Sequence, residues 1–356
     1  MADVQPFRAV RYSGAAGPLA DLVAPPYDAV TPTERASLFT RSPYNVVHLT
    51  LPDSADEAGR LYREWLASGI LVRDESPAAW FLAQQHRGRE RHGVVVSLAA
   101  EPYSAGAVLP HERTHPRVRD ERLELLRLTG VQLEPIFLLV EGPLEVQVPS
   151  GEPDVEADRS RLWRLPDAAA IALTAEREFL IADGHHRYES ALEFGAETGT
   201  EGTRVMALVV SASDPGLEVL PTHRVFRDRP DLAELREGDE YPNLGDALAR
   251  LAEEPFSHSA AVAYRAGHIE LVRGATGEFD VELVDRHGLD GIDYTSLLKH
   301  AVEQVDRGDA DVAFILRPPR VADVFAAARR GERLPPKSTF FMPKPLSGLL
   351  FHPVEP

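Results

Sequence analysis

Proline is the residue that most constrains how this chain can fold. The 356 residues include 29 prolines, spread along the whole length. Because the proline ring fixes its backbone and removes an N–H donor, it interrupts helices and central strands. The chain is therefore divided into many short elements. We expect a mixed α/β protein of the α+β kind with hairpins, without the regular strand–helix alternation of a doubly wound fold.

Apolar periodicity and end signals predict where these elements lie. A capping box at Thr31-Pro32-Thr33-Glu34 begins a short helix that ends near Phe39. Other helices are predicted at 54–68, 120–129, 187–194, 244–252, 294–305 and 322–330. Strands are predicted at 79–83, 93–99, 136–140, 178–182, 205–210, 260–264, 269–272, 281–284 and 312–316. A charged stretch at 227–239 favours two domains, 1–235 and 236–356.

Composition excludes several classes of protein. The sequence has no cysteine, so it has no disulfide framework, thiolate zinc site, iron–sulfur cluster or cysteine nucleophile. It also lacks an apolar run of about 18 residues and the start of a signal peptide, so we expect a cytoplasmic protein without a membrane segment. A net charge of −18 disfavours nucleic acid as a partner, while a local basic pocket can still bind an anion. The sequence does not indicate an oligomeric state.

Lysine and asparagine are rare enough in this chain to be informative. Nearly all basic residues are arginine, and the sequence contains only three lysines, at Lys299, Lys337 and Lys344. Asn45 is one of only two asparagines. A chain under such compositional pressure is expected to keep these types where a substitute would fail. Two of the three lysines lie within 337–344, so we expect this segment to have a function.

The string Asp183-Gly184-His185-His186-Arg187 is the strongest candidate for a functional site. An apolar strand leads into it and a helix follows, so its backbone N–H groups and positive dipole end would attract anions. Gly184 permits close approach of a ligand, Arg187 offers a planar fork for phosphate, and the histidines add donors. Asp183 could cap the helix, orient a histidine or bind Mg²⁺. The structural alternative is that Asp183 only caps the helix while the histidines pack against neighbours.

Three further segments carry polar residues suited to such a site. In His111-Glu112-Arg113-Thr114-His115-Pro116, Glu112 is a candidate general base or metal ligand, although a solvated charge run is the alternative. Pro116 argues against a helix that would place both histidines on one face. The string Thr222-His223-Arg224 follows an apolar strand, and Lys337-Ser338-Thr339 offers an ammonium and two hydroxyls for phosphate or Mg²⁺. Walker, Rossmann and hydrolase-elbow sequences are absent.

Six ordered motifs lie along the chain, at Pro25–Asp28, Asn45–Leu49, His111–Thr114, Ala182–Tyr188, Pro221–Val225 and Pro336–Lys344. Together they resemble the bacterial and archaeal domain-of-unknown-function 1015 family. The resemblance extends from about residue 5 to 352, which is nearly the whole chain. This sequence has Glu121-Arg122 where the family pattern leads us to expect an Asp-Arg pair, which puts a strict role for that carboxylate in doubt.

The Asp-Gly-His-His-Arg turn is also similar to the Gly-x-His-Arg turn of the ParB and sulfiredoxin superfamily, over roughly residues 105 to 225. This resemblance implies a ParB/sulfiredoxin-like core with α/β additions at both ends, and a turn that binds nucleotide phosphates. It implies that Glu112 activates an acceptor hydroxyl, that Asp183 orients a histidine or Mg²⁺, and that Lys337 or Arg224 offsets charge. Catalytic candidates are therefore Glu112, Asp183, His185 and His186. Phosphate- or nucleotide-binding candidates are Gly184, Arg187, Thr222, His223, Arg224, Lys337, Ser338 and Thr339. Substrate-binding candidates are Tyr27, Asp28, Asn45, His48, His111, Arg113 and Thr114.

Three functions remain open at this point. The first is a nucleotide-dependent phosphotransferase that uses ATP or ADP with Mg²⁺ and acts on a small hydroxylated metabolite, for which an amino acid such as serine is a candidate. The second is a non-catalytic nucleotide- or metabolite-sensing protein. The third is a ParB-like nucleic-acid-binding protein, which the charge disfavours. For the first two we expect the four segments to converge, with the tail 335–352 returning to the site.

Overall fold

The computed structural model describes residues 3–144, 147–166, 177–199 and 203–354. Its helices are α1 (Leu19–Leu22), α2 (Pro32–Arg41), α3 (Val47–Thr50), α4 (Ala55–Ala67), α5 (Pro116–Thr129), α6 (His185–Thr198), α7 (Pro230–Glu234), α8 (Leu244–Glu253), α9 (Asp280–Asp285), α10 (Leu298–Asp306) and α11 (Val321–Arg329). Its strands are β1 (Val4–Gln5), β2 (Val10–Tyr12), β3 (Leu71–Arg73), β4 (Ala79–His86), β5 (Arg89–Ala99), β6 (Val108–Leu109), β7 (Val131–Gln132), β8 (Ile136–Val140), β9 (Val155–Ala157), β10 (Ser160–Leu165), β11 (Phe179–Asp183), β12 (Arg204–Ser211), β13 (Glu218–Leu220), β14 (His223–Phe226), β15 (Asp239–Glu240), β16 (His258–Arg265), β17 (His268–Thr276), β18 (Ile292–Thr295), β19 (Val312–Ile315), β20 (Phe340–Met342) and β21 (His352–Pro353). Short 3₁₀ turns lie at Gly14–Ala16, Tyr27–Ala29 and Tyr103–Ala105.

The chain divides into two units by its internal contacts. Unit 1 comprises Met1–Pro110, Thr114–Glu218 and Pro343–Pro356, and unit 2 comprises His111–Arg113 and Val219–Met342. The two domains predicted from the sequence, with a boundary near residue 235, concern parts that fold independently. This division stays a prediction.

Unit 1 is built on a large mixed sheet. Its strand order among the described residues is β6-β11-β8-β12-β5-β4-β10-β9. The short strand β1 pairs with the end of β5, at Ser97 and Leu98. The centre is apolar on both faces, because β8 is wholly buried and β12 lies parallel to it with nearly every residue buried. The hairpin of β4 and β5 extends the sheet, and β11 runs antiparallel to β8.

The last residues of the chain are part of unit 1. Strand β21 pairs with β7, and His352 stacks on Phe7 with ring centroids 4.5 Å apart. Isolated bridges join Val10 to Phe351 and Ala24 to Ser347. These contacts fix the backbone at Ser347 and after it, close in sequence to Lys344.

Unit 2 contains a second sheet, which is antiparallel. Its order is β15-β17-β16-β19-β14-β18. Alternate residues of its strands belong to two apolar clusters, one for each face, as Val225 and Phe226 illustrate. Helices α8 and α10 pack through Leu251 and Val305 into one cluster, and α9 through Val284 into the other.

The structure confirms the expected mixed α/β fold class and most predicted elements. Two predictions of secondary structure are wrong. The strand predicted at 281–284 is helix α9, in which the Phe279 backbone N–H donates to the Glu282 carboxylate at 2.8 Å as in a capping box. The helix predicted from 294 begins instead at Leu298, because Tyr294 belongs to β18 and pairs with Arg224. Among the described residues, no helix is both long enough and apolar enough to cross a membrane.

Candidate functional site

The Asp183–Gly184 turn connects β11 to α6 and can accept only glycine at its second position. The register of β11 against β8 shifts between Ile181 and Asp183, which turns the end of the strand. Gly184 is the N-cap of α6, with φ of 96°. A Cβ at this position would lie 2.8 Å from Ile136 Cγ2 and 3.1 Å from Arg187 Nη2. Both the backbone conformation and the available space therefore exclude larger residues.

The first backbone N–H groups of α6 make no bond within the helix. The first intrahelical bond is donated by Tyr188 N–H to the carbonyl of Gly184, at 3.0 Å. The N–H groups of residues 185–187 therefore lie outside the intrahelical ladder, at the positive end of the dipole. The N-cap residue, Gly184, has no side chain with which to cap the helix, and the predicted capping role of Asp183 stays a prediction.

The carboxylate of Asp183 binds the ammonium group of Lys344. Lys344 Nζ donates to Asp183 Oδ1 at 2.8 Å and to Asp28 Oδ2 at 2.7 Å. The lysine side chain is only 11 % exposed, so burial tends to lower its pKa. The two carboxylates outweigh burial and hold the pKa of Lys344 well above its usual value. The ammonium group is therefore a permanent positive charge beside the turn.

Arg187 lies beneath the same turn and is almost completely buried. Its Nη2 donates to Asp183 Oδ2 at 2.6 Å, and its Nη1 donates to the Pro135 carbonyl at 2.5 Å. Burial tends to lower the pKa of Arg187, and the charges of Glu134 and Asp183 reverse this effect, so the pKa is raised. Its Nη groups therefore hold the turn in place, and the predicted binding of a phosphate by Arg187 stays a prediction.

Glu134 links this cluster to the Pro25–Asp28 motif. Its Oε1 accepts the backbone N–H of Tyr27 at 2.9 Å and the hydroxyl of Ser347 at 2.5 Å. Burial raises the pKa of the Tyr27 phenol to about 12. The guanidinium of Arg122 lies 4.4 Å from the centre of the Tyr27 ring. The Arg of the unusual Glu121-Arg122 pair therefore packs on a predicted substrate-binding residue.

His186 connects α6 to the segment before α5. Its Nε2 accepts the backbone N–H of His115 at 2.8 Å, so this nitrogen carries no proton in the structure. The Thr114 hydroxyl donates to Glu189 Oε2 at 2.6 Å. His185 is buried, with 8 % of its surface exposed. These contacts give His186 and Thr114 a role in joining the two segments.

In unit 2, the His-Glu motif meets the lysine-containing segment. His111 is fully buried, and its Nε2 lies 2.9 Å from Thr339 Oγ1 with which it shares a hydrogen bond. The His111 carbonyl accepts the N–H of Leu334 at 2.7 Å, and Glu112 forms a parallel bridge to the same residue. The predicted proximity of residues 111–112 and 337–339 is therefore seen within unit 2.

Arg224 uses all five of its N–H groups within unit 2. Two N–H groups donate to the carboxylate of Asp285, at 3.0 and 3.2 Å. The others donate to the carbonyls of Thr222 at 2.7 Å, Lys337 at 2.9 Å and Pro336 at 3.3 Å. A fully buried arginine in this arrangement fixes the backbone that carries Lys337, and it has no N–H group left for a phosphate.

The remaining predicted residues differ in their burial and in their bonding partners. His223 Nδ1 accepts the Leu316 N–H at 3.1 Å, and burial followed by the charge of Arg224 lowers its pKa to about 4, so it is neutral at neutral pH. The Asn45 side chain is fully buried and bonds backbone groups of residues 21, 23 and 47, and His48 contacts the carbonyl of residue 42. Arg113 and Lys337 are exposed, Thr222 and Ser338 are buried, and Lys337 has a positive φ of 57°.

Sequence reasoning left Glu134 and Lys344 out of the candidate residues. The rarity of lysine did single out the segment that contains Lys344, whereas Glu134 carries no signal in the sequence. The predicted residues form two clusters, one in each unit. That they converge on a single pocket stays a prediction. Among the described residues, no three His, Asp or Glu side chains are arranged to hold a metal ion.

The fold and the turn define a mixed α/β protein with an Asp-Gly-His-His-Arg strand-to-helix turn. The family model described as "Protein of unknown function (DUF1015)" matches residues 4–273, so the chain belongs to this family. A search of curated proteins found none that matches.

Solved structures give weaker similarities. The chain is similar to a conserved hypothetical protein from Pyrococcus furiosus, with 17% identity, a TM-score of 0.42, and coverage of 70% of this chain and 90% of that one. It is similar to a free serine kinase in complex with AMP, with 17% identity, a TM-score of 0.46, and coverage of 74% and 91%. It is also similar to C-terminally truncated SbnI from Staphylococcus aureus, with 14% identity, a TM-score of 0.41, and coverage of 68% and 82%. At these values, none of the similarities assigns an activity to this chain.

Proposed function

We propose that the protein is a nucleotide-dependent phosphotransferase that transfers a phosphoryl group to a small hydroxylated metabolite. The observation that supports this most is the Asp183–Gly184 turn, in which Asp183 immediately precedes the N-cap of α6 and binds the ammonium group of Lys344. A helix N-terminus and a lysine are two of the groups with which proteins bind phosphate. The ParB/sulfiredoxin-like resemblance of the turn belongs to the same proposal.

The charge around the turn suggests how the nucleotide is bound. Three carboxylates, those of Asp28, Glu134 and Asp183, lie near the cations Lys344 and Arg187, and the guanidinium of Arg122 packs on Tyr27 beside them, so the charges of the cluster balance. A phosphate is accommodated in a balanced cluster by exchange for one of its carboxylates. Asp28 is the most exposed of the three at 24 %, so it is the carboxylate that can most easily release Lys344 to a phosphate.

Glu112 is the proposed general base for the acceptor hydroxyl. It is partly exposed, and its backbone is fixed by the bridge to Leu334. Burial raises the pKa of the nearby Tyr294 phenol, and the negative charges of Asp285 and Glu112 raise it further. A general base must lie within hydrogen-bond reach of the hydroxyl that it deprotonates. A partly exposed carboxylate on a fixed backbone is suited to this role.

The test is an assay of turnover with purified protein. The protein is incubated with ATP or ADP, MgCl₂ and a set of hydroxylated metabolites that includes serine, and phosphorylated products are detected by ³¹P NMR. In Glu112→Gln we expect turnover to fall about 100-fold or more while nucleotide affinity is retained, since a general base contributes about that much. Glu303→Gln is the matched control, because Glu303 is a partly exposed carboxylate of the same unit.

The main alternative is a protein that binds the nucleotide as a signal. It is favoured by the two buried arginines, Arg187 and Arg224, whose N–H groups largely bind the protein itself and so are not placed to stabilise a transferring phosphoryl group. Tight nucleotide binding without a phosphorylated product from any acceptor would favour this alternative and contradict the phosphotransferase proposal.

A further inference from the structure

Unit 2 contains a cavity that none of the predicted catalytic residues lines. Its volume is about 220 Å³. One wall is a single face of α11 and its ends, since Arg320, Asp323, Ala326 and Arg330 follow each other at helical spacing. The opposite wall comes from residues 256–257 and 277–281, so the cavity lies wholly within one unit.

The body of the cavity is apolar and aromatic. Phe256, Phe279, Val281, Pro318 and Pro319 contribute to its lining. The side chain of Phe256 remains 38 % exposed, which is unusual for a large apolar residue in this protein. Flat apolar walls of this kind favour a planar ring over a flexible polar chain.

Two carboxylates of the cavity lining are bonded to neighbouring protein groups. Asp280 binds Arg317 through two hydrogen bonds of 2.6 and 2.8 Å and also accepts the N–H of Ala260, so its charge is compensated. Glu278 Oε2 accepts the hydroxyl of Ser259 at 2.5 Å and the N–H of Ala275 at 3.0 Å, which are neutral donors. With three arginines and three carboxylates, the lining as a whole carries no net charge.

The groups that a ligand can recruit are mainly arginines at the edge. Arg320 lies 4.9 Å from the centre of the Phe256 ring and pairs with Asp323, and Arg330 pairs with Glu332. All four side chains are at least one-third exposed, so these pairs are weak and can be exchanged. Arg317 lies on the same aromatic ring at 4.4 Å. A ring placed against Phe256 would bring its substituent to the guanidinium of Arg320.

We propose that this cavity is a binding site for a planar aromatic carboxylate of one or two rings. The ring occupies the apolar body beside Phe256, and its carboxylate replaces that of Asp323 on Arg320. This site shares one residue, Ser338, with the segments predicted to bind phosphate, and it shares none with the residues argued above to act in phosphoryl transfer. The loop that holds Lys337 and Thr339 also contributes Ser338 to the cavity lining, so a bound ligand contacts the same loop.

The test uses 2-naphthoate as the probe and the full chain. We expect 2-naphthoate to bind, as measured by saturation-transfer NMR and calorimetry, and its neutral amide to bind at least about tenfold more weakly, because a charge-assisted bond is lost. Arg320→Gln should weaken naphthoate binding by a similar factor, and Ala326→Phe should abolish it by filling the cavity. Arg307→Gln is the control, since Arg307 is an exposed arginine of the same unit that does not line the cavity.

Three results would overturn this inference. The first is equal affinity for the acid and the amide, which would remove the role of the arginine. The second is unchanged binding in Ala326→Phe, provided that its unfolding curve shows a native fold. The third is displacement of naphthoate by AMP, which would make the cavity part of a nucleotide site. Loss of turnover in Glu112→Gln has no bearing on any of them, so the two proposals can fail separately.

Discussion

Replacing Gly184 by alanine tests whether the turn before α6 is as restricted as the structure indicates. An L-residue in the left-handed region costs about 1–2 kcal/mol. The new Cβ would also lie 2.8 Å from Ile136 Cγ2 and 3.1 Å from Arg187 Nη2. Overpacking of this kind costs typically about 1–3 kcal/mol, so we expect Gly184→Ala to lower the free energy of unfolding by about 2–5 kcal/mol.

The other end of the same helix provides the control. Gly199 follows α6 with φ of 65°, and a Cβ there would meet no atom within 4 Å. Gly199→Ala should therefore cost only the conformational part, about 1–2 kcal/mol. The difference between the two variants isolates the contacts of the turn with Ile136 and Arg187.

Tryptophan fluorescence during urea unfolding is the appropriate measurement. All three tryptophans, Trp65, Trp80 and Trp163, lie in unit 1, so the signal reports the unit that contains the turn. The midpoint for Gly184→Ala should lie clearly below that for Gly199→Ala, with a similar slope. Equal midpoints for the two variants would refute the argument, because the contacts of Gly184 would then have no energetic effect.

Two further predictions concern charge. Lys344→Met leaves the carboxylates of Asp28 and Asp183 without their shared cation, so we expect it to destabilise unit 1 by about 3–5 kcal/mol in the same assay. Adding Asp28→Asn should restore part of the lost stability. A double variant no more stable than the single one would contradict this. The folded state lowers the pKa of His223 from 6.5 to about 4, so protonation of this residue favours the unfolded state. The free energy of unfolding is therefore unaffected above pH 6.5 and decreases, by up to about 3 kcal/mol, as the pH falls towards 4. Circular dichroism of urea unfolding at pH 7 and 4.5 should show a smaller acid-induced loss in His223→Gln than in the unchanged protein.

The sequence predicted those features that depend on local pattern. The central strands β8 and β12 are continuous apolar runs, and the turn at Gly184 follows from Asp-Gly between an apolar strand and a helical pattern. The error at α9 has a local cause as well. Four residues with three apolar side chains fit a strand or one turn of helix equally well, and the contact of Phe279 with Glu282 that decides between them is visible only in the structure.

The direction in which a buried cation points could not be read from the sequence. A His-Arg pair after an apolar strand predicts a phosphate-binding group, and both Arg187 and Arg224 occur in such pairs. In the structure, Arg187 donates to the Pro135 carbonyl and to Asp183, and Arg224 donates to three backbone carbonyls and to Asp285. The reason is desolvation: a buried guanidinium must satisfy several N–H donors at once, and fixed carbonyls do so in the absence of a ligand.

Lys344 differs from these arginines in a way that bears on function. Its ammonium group is bound by two carboxylate side chains, and one of them, Asp28, is partly exposed. When a phosphate oxygen replaces a side-chain carboxylate, the ammonium group keeps a negatively charged partner. When a phosphate replaces a backbone carbonyl as the partner of a guanidinium, the buried carbonyl is left without a donor. If the turn binds phosphate, Lys344 is therefore the cation that can change partners, and the two arginines are the groups that keep the surrounding backbone in place while it does so.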